Sequence, residues 1–156
     1  MLCEPYSLNI KAMESYNLTH EDNPADHEME IFDVLREYNV SQVGESNYRK
    51  LTIFLRNEQG EVIGGVQGST SRGWLHITNL VLRPEVRGQG WGTTLLGAAE
   101  KEAISRGCHH AYLDTFSFQA LPFYQKQGYT IFGTLEDYPE GHSNYFLKKR
   151  LDNREA

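Results

Sequence analysis

Apolar positions along this chain alternate between a period of two and a period near 3.6, and the switches between them divide it into strands and helices. Residues 7–13 read as a first strand. Asn23 and Pro24 then open a helix over 24–38: proline suits the first helical position, Asp26 and Glu28 fall in the first turn, and Ala25, Met29, Phe32 and Leu35 share one face. Residues 40–47 form a polar loop. Strands follow at 49–56 and 61–68, joined through Asn57-Glu58-Gln59-Gly60, where Gly60 supplies the left-handed turn residue. A tight connection over 69–73 leads into an apolar strand at 74–82, so these three strands make a meander of nearest neighbours.

The period then lengthens again. Residues 93–106 form a helix with Leu95, Leu96, Ala99 and Ala103 as its buried face, and Gly107 ends it. The strand at 109–116 follows so closely that it must lie parallel to 74–82, as a right-handed βαβ unit. Residues 119–127 make a short helix with Pro122 in its early part and Gly128 after it, and strands at 129–135 and 144–149 complete the sheet. The fold class is therefore α/β (α+β), a mixed and mostly antiparallel sheet with helices on both faces.

Composition agrees with one domain spanning residues 1–156, long enough to bury about two-thirds of its unfolded surface. Hydrophobic residues make up 39%, nine tyrosines support a packed core, and no repeat or low-complexity stretch interrupts it. No apolar run approaches the roughly 18 residues of a membrane span. Met1-Leu2-Cys3-Glu4-Pro5 lacks a basic stretch followed by an apolar one, and Cys3 and Cys108 have neither metal spacing nor a disulfide framework, so a reduced, cytoplasmic protein without a metal site is expected. The formal charge of −6, from 15 basic and 21 acidic residues, argues against nucleic acid as a partner. It suits a cationic substrate, although the seven acids between Glu21 and Glu37 read equally well as a solvated helix face.

Candidate chemistry concentrates in Arg87-Gly88-Gln89-Gly90-Trp91-Gly92, between the strand 74–82 and the helix behind it. Glycines there let the backbone fold back and present bare N–H groups, and the helix adds the positive end of its dipole, which together suit a phosphate. A nucleoside-triphosphate loop needs Gly-Lys-Ser or Gly-Lys-Thr, and no lysine follows before Lys101. A dinucleotide fingerprint needs its third glycine where Thr93 stands and its first directly after the strand, whereas Arg83 to Val86 intervene; only Asp114, about 20 residues onward, favours it.

Arg87, Gly90 and Gly92 instead form R-x-x-G-x-G, which resembles the acetyl-coenzyme A loop of the GNAT superfamily of N-acetyltransferases. Asn79-Leu80-Val81-Leu82-Arg83-Pro84 is similar to that family's central strand, and Ala120-x-x-x-Tyr124 followed by Gly128-Tyr129 to its second motif. The similarity runs over about 74–129, more than a third of the chain. It implies a sheet splayed at its centre to admit a pantetheine arm, and acetyl-coenzyme A as co-substrate. By the same resemblance the cofactor contacts are Leu80, Val81 and Leu82 on the strand, Arg87, Gly88, Gln89, Gly90, Trp91, Gly92 and Thr93 on the loop, and Ser117, Ala120 and Tyr124 beyond. Ser117 departs from the asparagine often found three residues before that alanine.

Amide formation at neutral pH requires an ammonium to lose a proton, a thioester oxygen to be stabilised and a thiolate to leave. Backbone N–H groups near Leu80 to Leu82, Leu82 in particular, are the expected donors to the carbonyl. Tyr124, at the family's tyrosine position, is the expected general acid, since a phenol stays protonated at neutral pH; the alternative is a core aromatic packed with Phe123 and Tyr129. For the base, His76, Asp114, Glu45 and His142 are all chemically able, as is an ordered water chain, and His76 and Asp114 read equally as structural residues. Residues 137–142 form a polar loop, either a cover for the acceptor or an ordinary hairpin connection. The acceptor is a primary amine of a small molecule or peptide, and exposed sheet edges allow a homodimer. A coenzyme A sensor without turnover is the alternative from a different class.

Overall fold

The computed structural model describes residues 18–20, 22 and 27–152. The expected strand at 7–13, the helix start at Pro24 and Cys3 lie outside them. Helix α1 (Glu28–Val43) runs past the expected stop at 38 and takes in half of the loop assigned to 40–47. Val40, Ser41, Gln42 and Val43 contain no breaker, and the helix ends where the first glycine arrives: Gly44, at φ 75°, donates its N–H to the Val40 carbonyl at 2.9 Å.

Residues 45–152 carry the sheet. Its strands are β1 (Arg49–Arg56), β2 (Val62–Ser71), β3 (Trp74–Leu82), β4 (His110–Phe116), β5 (Thr130–Glu136) and β6 (Ser143–Arg150). They lie in the order β1-β2-β3-β4-β6-β5, with β3 and β4 parallel and every other pair antiparallel. Helix α2 (Trp91–Ser105) crosses between β3 and β4, and α3 (Leu121–Lys126) follows β4. β2 continues to Ser71 because the turn to β3 needs only Arg72 and Gly73, both at positive φ (47° and 80°), the geometry of a primed two-residue hairpin.

One irregularity in β3 positions the site. Gln67 pairs with Asn79 and Gly68 with Ile77, so Thr78 has no partner across the ladder and instead donates its hydroxyl to the Gln67 carbonyl at 3.1 Å. Leu75 and Ile77 face the core before this bulge, and Leu80 and Leu82 face it after, a change of parity that keeps the strand apolar toward α2. Gly68 is obligatory beside the bulge, since a methyl group there would collide with the His76 carbonyl oxygen.

The core fills the space under α2, whose Leu95, Leu96, Ala99 and Ala103 pack with Leu51, Val66, Leu75, Ile77, Leu113 and Leu147. Helix α3 shares that face. Gln127 bonds to Thr93 at 3.2 Å, and Tyr129, just past α3, donates its hydroxyl to Glu100 of α2 at 2.9 Å. Lys149 closes the same carboxylate from β6 at 2.7 Å, so Glu100 enters the core boundary paired and hydrogen-bonded.

Candidate active site

The parallel ladder between β3 and β4 is short. It runs from Trp74 opposite His110 to Ile77 opposite Leu113 and stops, although β3 continues to Leu82 and β4 to Phe116. On the β2 side the Arg83 N–H donates to the Ile63 carbonyl at 2.9 Å. The two-residue alternation of an antiparallel ladder turns Val81 toward β2 as well, and therefore turns the N–H groups of Leu80 and Leu82 toward the gap. The Leu82 carbonyl follows the same alternation, and the Arg87 guanidinium reaches it at 3.0 Å.

At the top of the gap, the loop after β3 turns through a short 3-10 segment (Pro84–Val86) and two left-handed glycines, Gly88 at φ 73° and Gly90 at φ 85°. A Cβ at either would meet open space, so what they supply is conformation. Gly92 is different. A Cβ there would stand 3.3 Å from the Phe123 ring, so its bare Cα lets α3 pack against the first turn of α2. Gly90 caps α2 without a side chain, which leaves the first-turn N–H groups of Trp91, Gly92 and Thr93 without an intrahelical acceptor at the positive end of the dipole. Gln89 is tied back to the Glu85 carbonyl at 3.0 Å.

Between loop and gap lies an open cleft of about 470 Å³. It gathers Leu80, Val81 and Leu82 from β3, Arg87 from the loop, Gly92 from the first turn of α2, and Ala120 and Tyr124 from α3 and the residue before it. Phe118, Gln119 and Phe123 complete the lining, and sequence reasoning missed all three as site residues. Gln119 shapes the turn into α3, its side-chain oxygen accepting from the Phe116 N–H at 2.9 Å and from Thr115 at 3.3 Å. A second depression of about 270 Å³ over β1 to β3 is lined by Phe54, Val62, Gln67 and Asn79, with Arg83 as its one charged group, whereas the cleft at the split carries Arg87 and the Tyr124 phenol.

Tyr124 is 7% exposed and packs edge-on against Phe123 and Tyr129, with ring centroids 5.1 and 6.0 Å away. The core-aromatic reading and the cleft position thus hold together. Burial raises its pKa, and the charge of Asp114 raises it further, so the phenol keeps its proton through neutral pH. His76 stacks on Tyr112 across the β3–β4 ladder, centroids 4.3 Å apart and planes 1° from parallel. Burial lowers its pKa, and Asp114 only partly opposes this. Asp114, the first β4 residue past the ladder, accepts a hydrogen bond from Asn144 at 3.1 Å. Asp114 acts on both His76 and Tyr124, which brings three of the sequence candidates around one split.

Other candidates fall elsewhere. Ser117 exchanges hydrogen bonds with Ser143 (N to carbonyl 2.8 Å, and Oγ accepting at 3.3 Å) and meets His142 Nδ1 at 3.2 Å. It stitches the end of β4 to the β5–β6 loop and does not line the cleft. His142 lies in the same junction, edge-on to Phe118 at 4.9 Å. Glu45 is exposed in the segment before β1.

Residues 12–129 match the Acetyltransferase (GNAT) family. The chain is 43% identical over 127 residues to Acetyltransferase Atu2258 of Agrobacterium fabrum, covering 81% of this chain and 93% of that protein. It is 38% identical over 95 residues to the Blasticidin-S acetyltransferase of Streptomyces morookaense, covering 60% and 70%. The crystal structure of an acetyltransferase from Bacillus cereus superposes with a TM-score of 0.77 at 38% identity, over 85% of this chain and 97% of that one.

Proposed function

Since the chain belongs to the GNAT family of acetyltransferases, we propose that it transfers an acetyl group from acetyl-coenzyme A to the primary amine of a small molecule or peptide, by direct attack in a ternary complex. The observation that carries this reading is the abrupt end of the β3–β4 ladder at Ile77 and Leu113, which leaves the Leu82 N–H and Tyr124 on one cleft below a glycine-rich helix start.

Each residue then has a task. Arg87 and the N–H groups from Gly88 to Thr93 hold the donor's pyrophosphate, which the dipole of α2 favours. Leu80 and Leu82 offer the gap-facing edge of β3 to the pantetheine amides, which complete the pairing that β4 abandons. The Leu82 N–H donates to the thioester oxygen as the amine nitrogen attacks the carbonyl carbon; one such donor lowers the barrier by about 3 kcal/mol. Before attack the ammonium loses one proton to water or to a base at the split; Tyr124 then gives its phenolic proton to the sulfur as the C–S bond breaks, and the second proton lost from nitrogen returns through solvent to the phenolate. His76, kept neutral by burial and stacked on Tyr112 beside the end of the β3–β4 ladder, is the imidazole assigned to take the first.

The test is thiol release from acetyl-coenzyme A across a panel of amines that includes blasticidin-S, spermidine, tyramine and an α-amino peptide. Amine-dependent release with a matching acetylated product is the expected result. Tight coenzyme A binding with no release on any amine would replace the enzyme by a sensor, and absence of coenzyme A binding would remove the reading altogether.

A further inference from the structure

The split leaves one buried polar atom without a partner. Asn144, on β6, is 3% exposed, and its Oδ1 has no hydrogen-bond partner, alone among the buried side-chain polar atoms of the described residues. Its Nδ2 donates to Asp114 Oδ2 at 3.1 Å. A carboxylate accepts and cannot donate at neutral pH, so this bond fixes which way the amide faces and turns Oδ1 away from Asp114. Leucine would fill a similar volume at that position and leave no orphaned acceptor. What asparagine does there, and leucine cannot, is hold Asp114.

Asp114 is placed where such holding matters. It follows Leu113, the last β4 residue paired with β3, and faces the same side of the sheet as Tyr112, on which His76 stacks. Its residue is exposed, and among the described residues no lysine or arginine pairs with it. A fixed carboxylate without a cation, at the open end of the split and close enough to act on both His76 and Tyr124, presents acceptor lone pairs to whatever enters from the solvent side.

We propose that Asp114 binds the ammonium of the acceptor amine, and that Asn144 is a positioning residue that holds the Asp114 carboxylate for it. This rests on the acetyl-transfer reading and sharpens it to a substrate class: acceptors that arrive as cations at neutral pH. Recognition by charge is separate from the later proton loss, so Asp114 sets the affinity for the amine and leaves the affinity for coenzyme A alone.

Steady-state kinetics on the intact chain test this, comparing the best cationic amine of the panel with hydroxylamine and p-anisidine, which are uncharged at neutral pH. Asp114→Asn raises KM for the cationic amine about tenfold or more while KM for the uncharged nucleophiles changes little, whatever kcat does, and coenzyme A binds as before. Asp114→Glu restores part of the preference. Asn144→Leu raises KM in the same sense with kcat less affected, and its melting temperature stays level or rises because the orphaned acceptor is gone. An Asp114→Asn enzyme that keeps its KM for the cation, or loses charged and uncharged substrates equally, overturns the proposal. So does an Asn144→Leu enzyme that loses stability, coenzyme A binding and every activity together. A wild-type chain silent on all amines removes the acetyl-transfer reading and this inference with it, whereas an active wild type indifferent to Asp114 removes the inference alone.

Discussion

Ile77 and Leu113 are the last residues that β3 and β4 hold in register, and Thr78, the next residue of β3, is the one that the bulge leaves unpaired on the other side. The strand therefore loses one neighbour and shifts against the other at the same point. Because the shift restores Leu80 and Leu82 to the core, the strand can leave β4 without leaving the protein interior. Its side chains stay anchored under α2 while its amides turn to the gap, and this division of labour makes an unpaired edge out of a core strand.

Tyr124→Phe keeps the ring and its contacts with Phe123 and Tyr129 but removes the proton. We expect kcat to fall about a hundredfold, with coenzyme A affinity unchanged, since general acid catalysis is typically worth that much. Single-turnover kinetics beside calorimetric titration of coenzyme A separate the two. A kcat near that of the wild type would assign the thiolate's proton to another group.

Gly90→Ala meets no atom, so its cost is conformational, about 1–2 kcal/mol for an L-residue in the left-handed region. Gly90→Asn tolerates that region better and should bind coenzyme A more tightly than the alanine variant. Gly90→Glu adds a negative charge on the loop proposed to hold the phosphates and should weaken binding about tenfold or more. Equal dissociation constants for all three variants would move the phosphates off this loop.

His76 makes stability depend on pH with a defined sign. Its folded pKa lies below the ordinary 6.5, so in acid the unfolded chain takes up the proton first and folding loses ground. The contribution is intact above about 6.5, falls as pH drops below it, and levels off under the folded pKa. Thermal denaturation from pH 7.5 to 5 should show a shallower acid slope for His76→Gln than for the wild type. An unchanged slope would mean that burial of the imidazole is not felt.

Two glycine-to-alanine substitutions should act in opposite directions. Gly68→Ala drives a methyl into the His76 carbonyl, and backbone must move, at a cost of about 1–3 kcal/mol or more and a drop in Tm of several degrees. Gly97→Ala, inside α2 with nothing near its Cβ, should stabilise by about 0.5–1 kcal/mol through helix propensity. Calorimetry on both decides the matter, and a neutral Gly68→Ala would show that the bulge is soft.

Much of this architecture is legible in the residues, for reasons that differ along the chain. β3 falls at Trp74–Leu82, the expected 74–82, because an apolar run bounded by Gly73 and Pro84 admits little else. The bulge also left a trace: Leu75 and Ile77 occupy odd positions, Leu80 and Leu82 even ones, and the break in alternation marks Thr78. Helix α1 overran its expected end because a polar stretch without a breaker continues a helix as readily as it makes a loop. By its place in a motif Ser117 reads as a cofactor contact, yet its hydroxyl bonds to Ser143 and His142, contacts that only the folded β5–β6 connection creates. Asn144 carried no signal at all. An isolated asparagine in an alternating strand reads as a surface residue, and only the sheet order brings it beside Asp114.

That sheet order also constrains when the domain can close. Among the described residues β5 has no strand partner except β6, which lies after it in sequence and must slot between β5 and β4. During synthesis β1 through β4 and α2 can assemble from neighbours, but the segment Thr130–Glu136 waits with both edges bare until Ser143–Arg150 has emerged. Its exposed Ile131, Phe132 and Leu135 are then the stretch most open to pairing with another unfinished chain, a hazard that belongs to the order of synthesis and ends once β6 is in place.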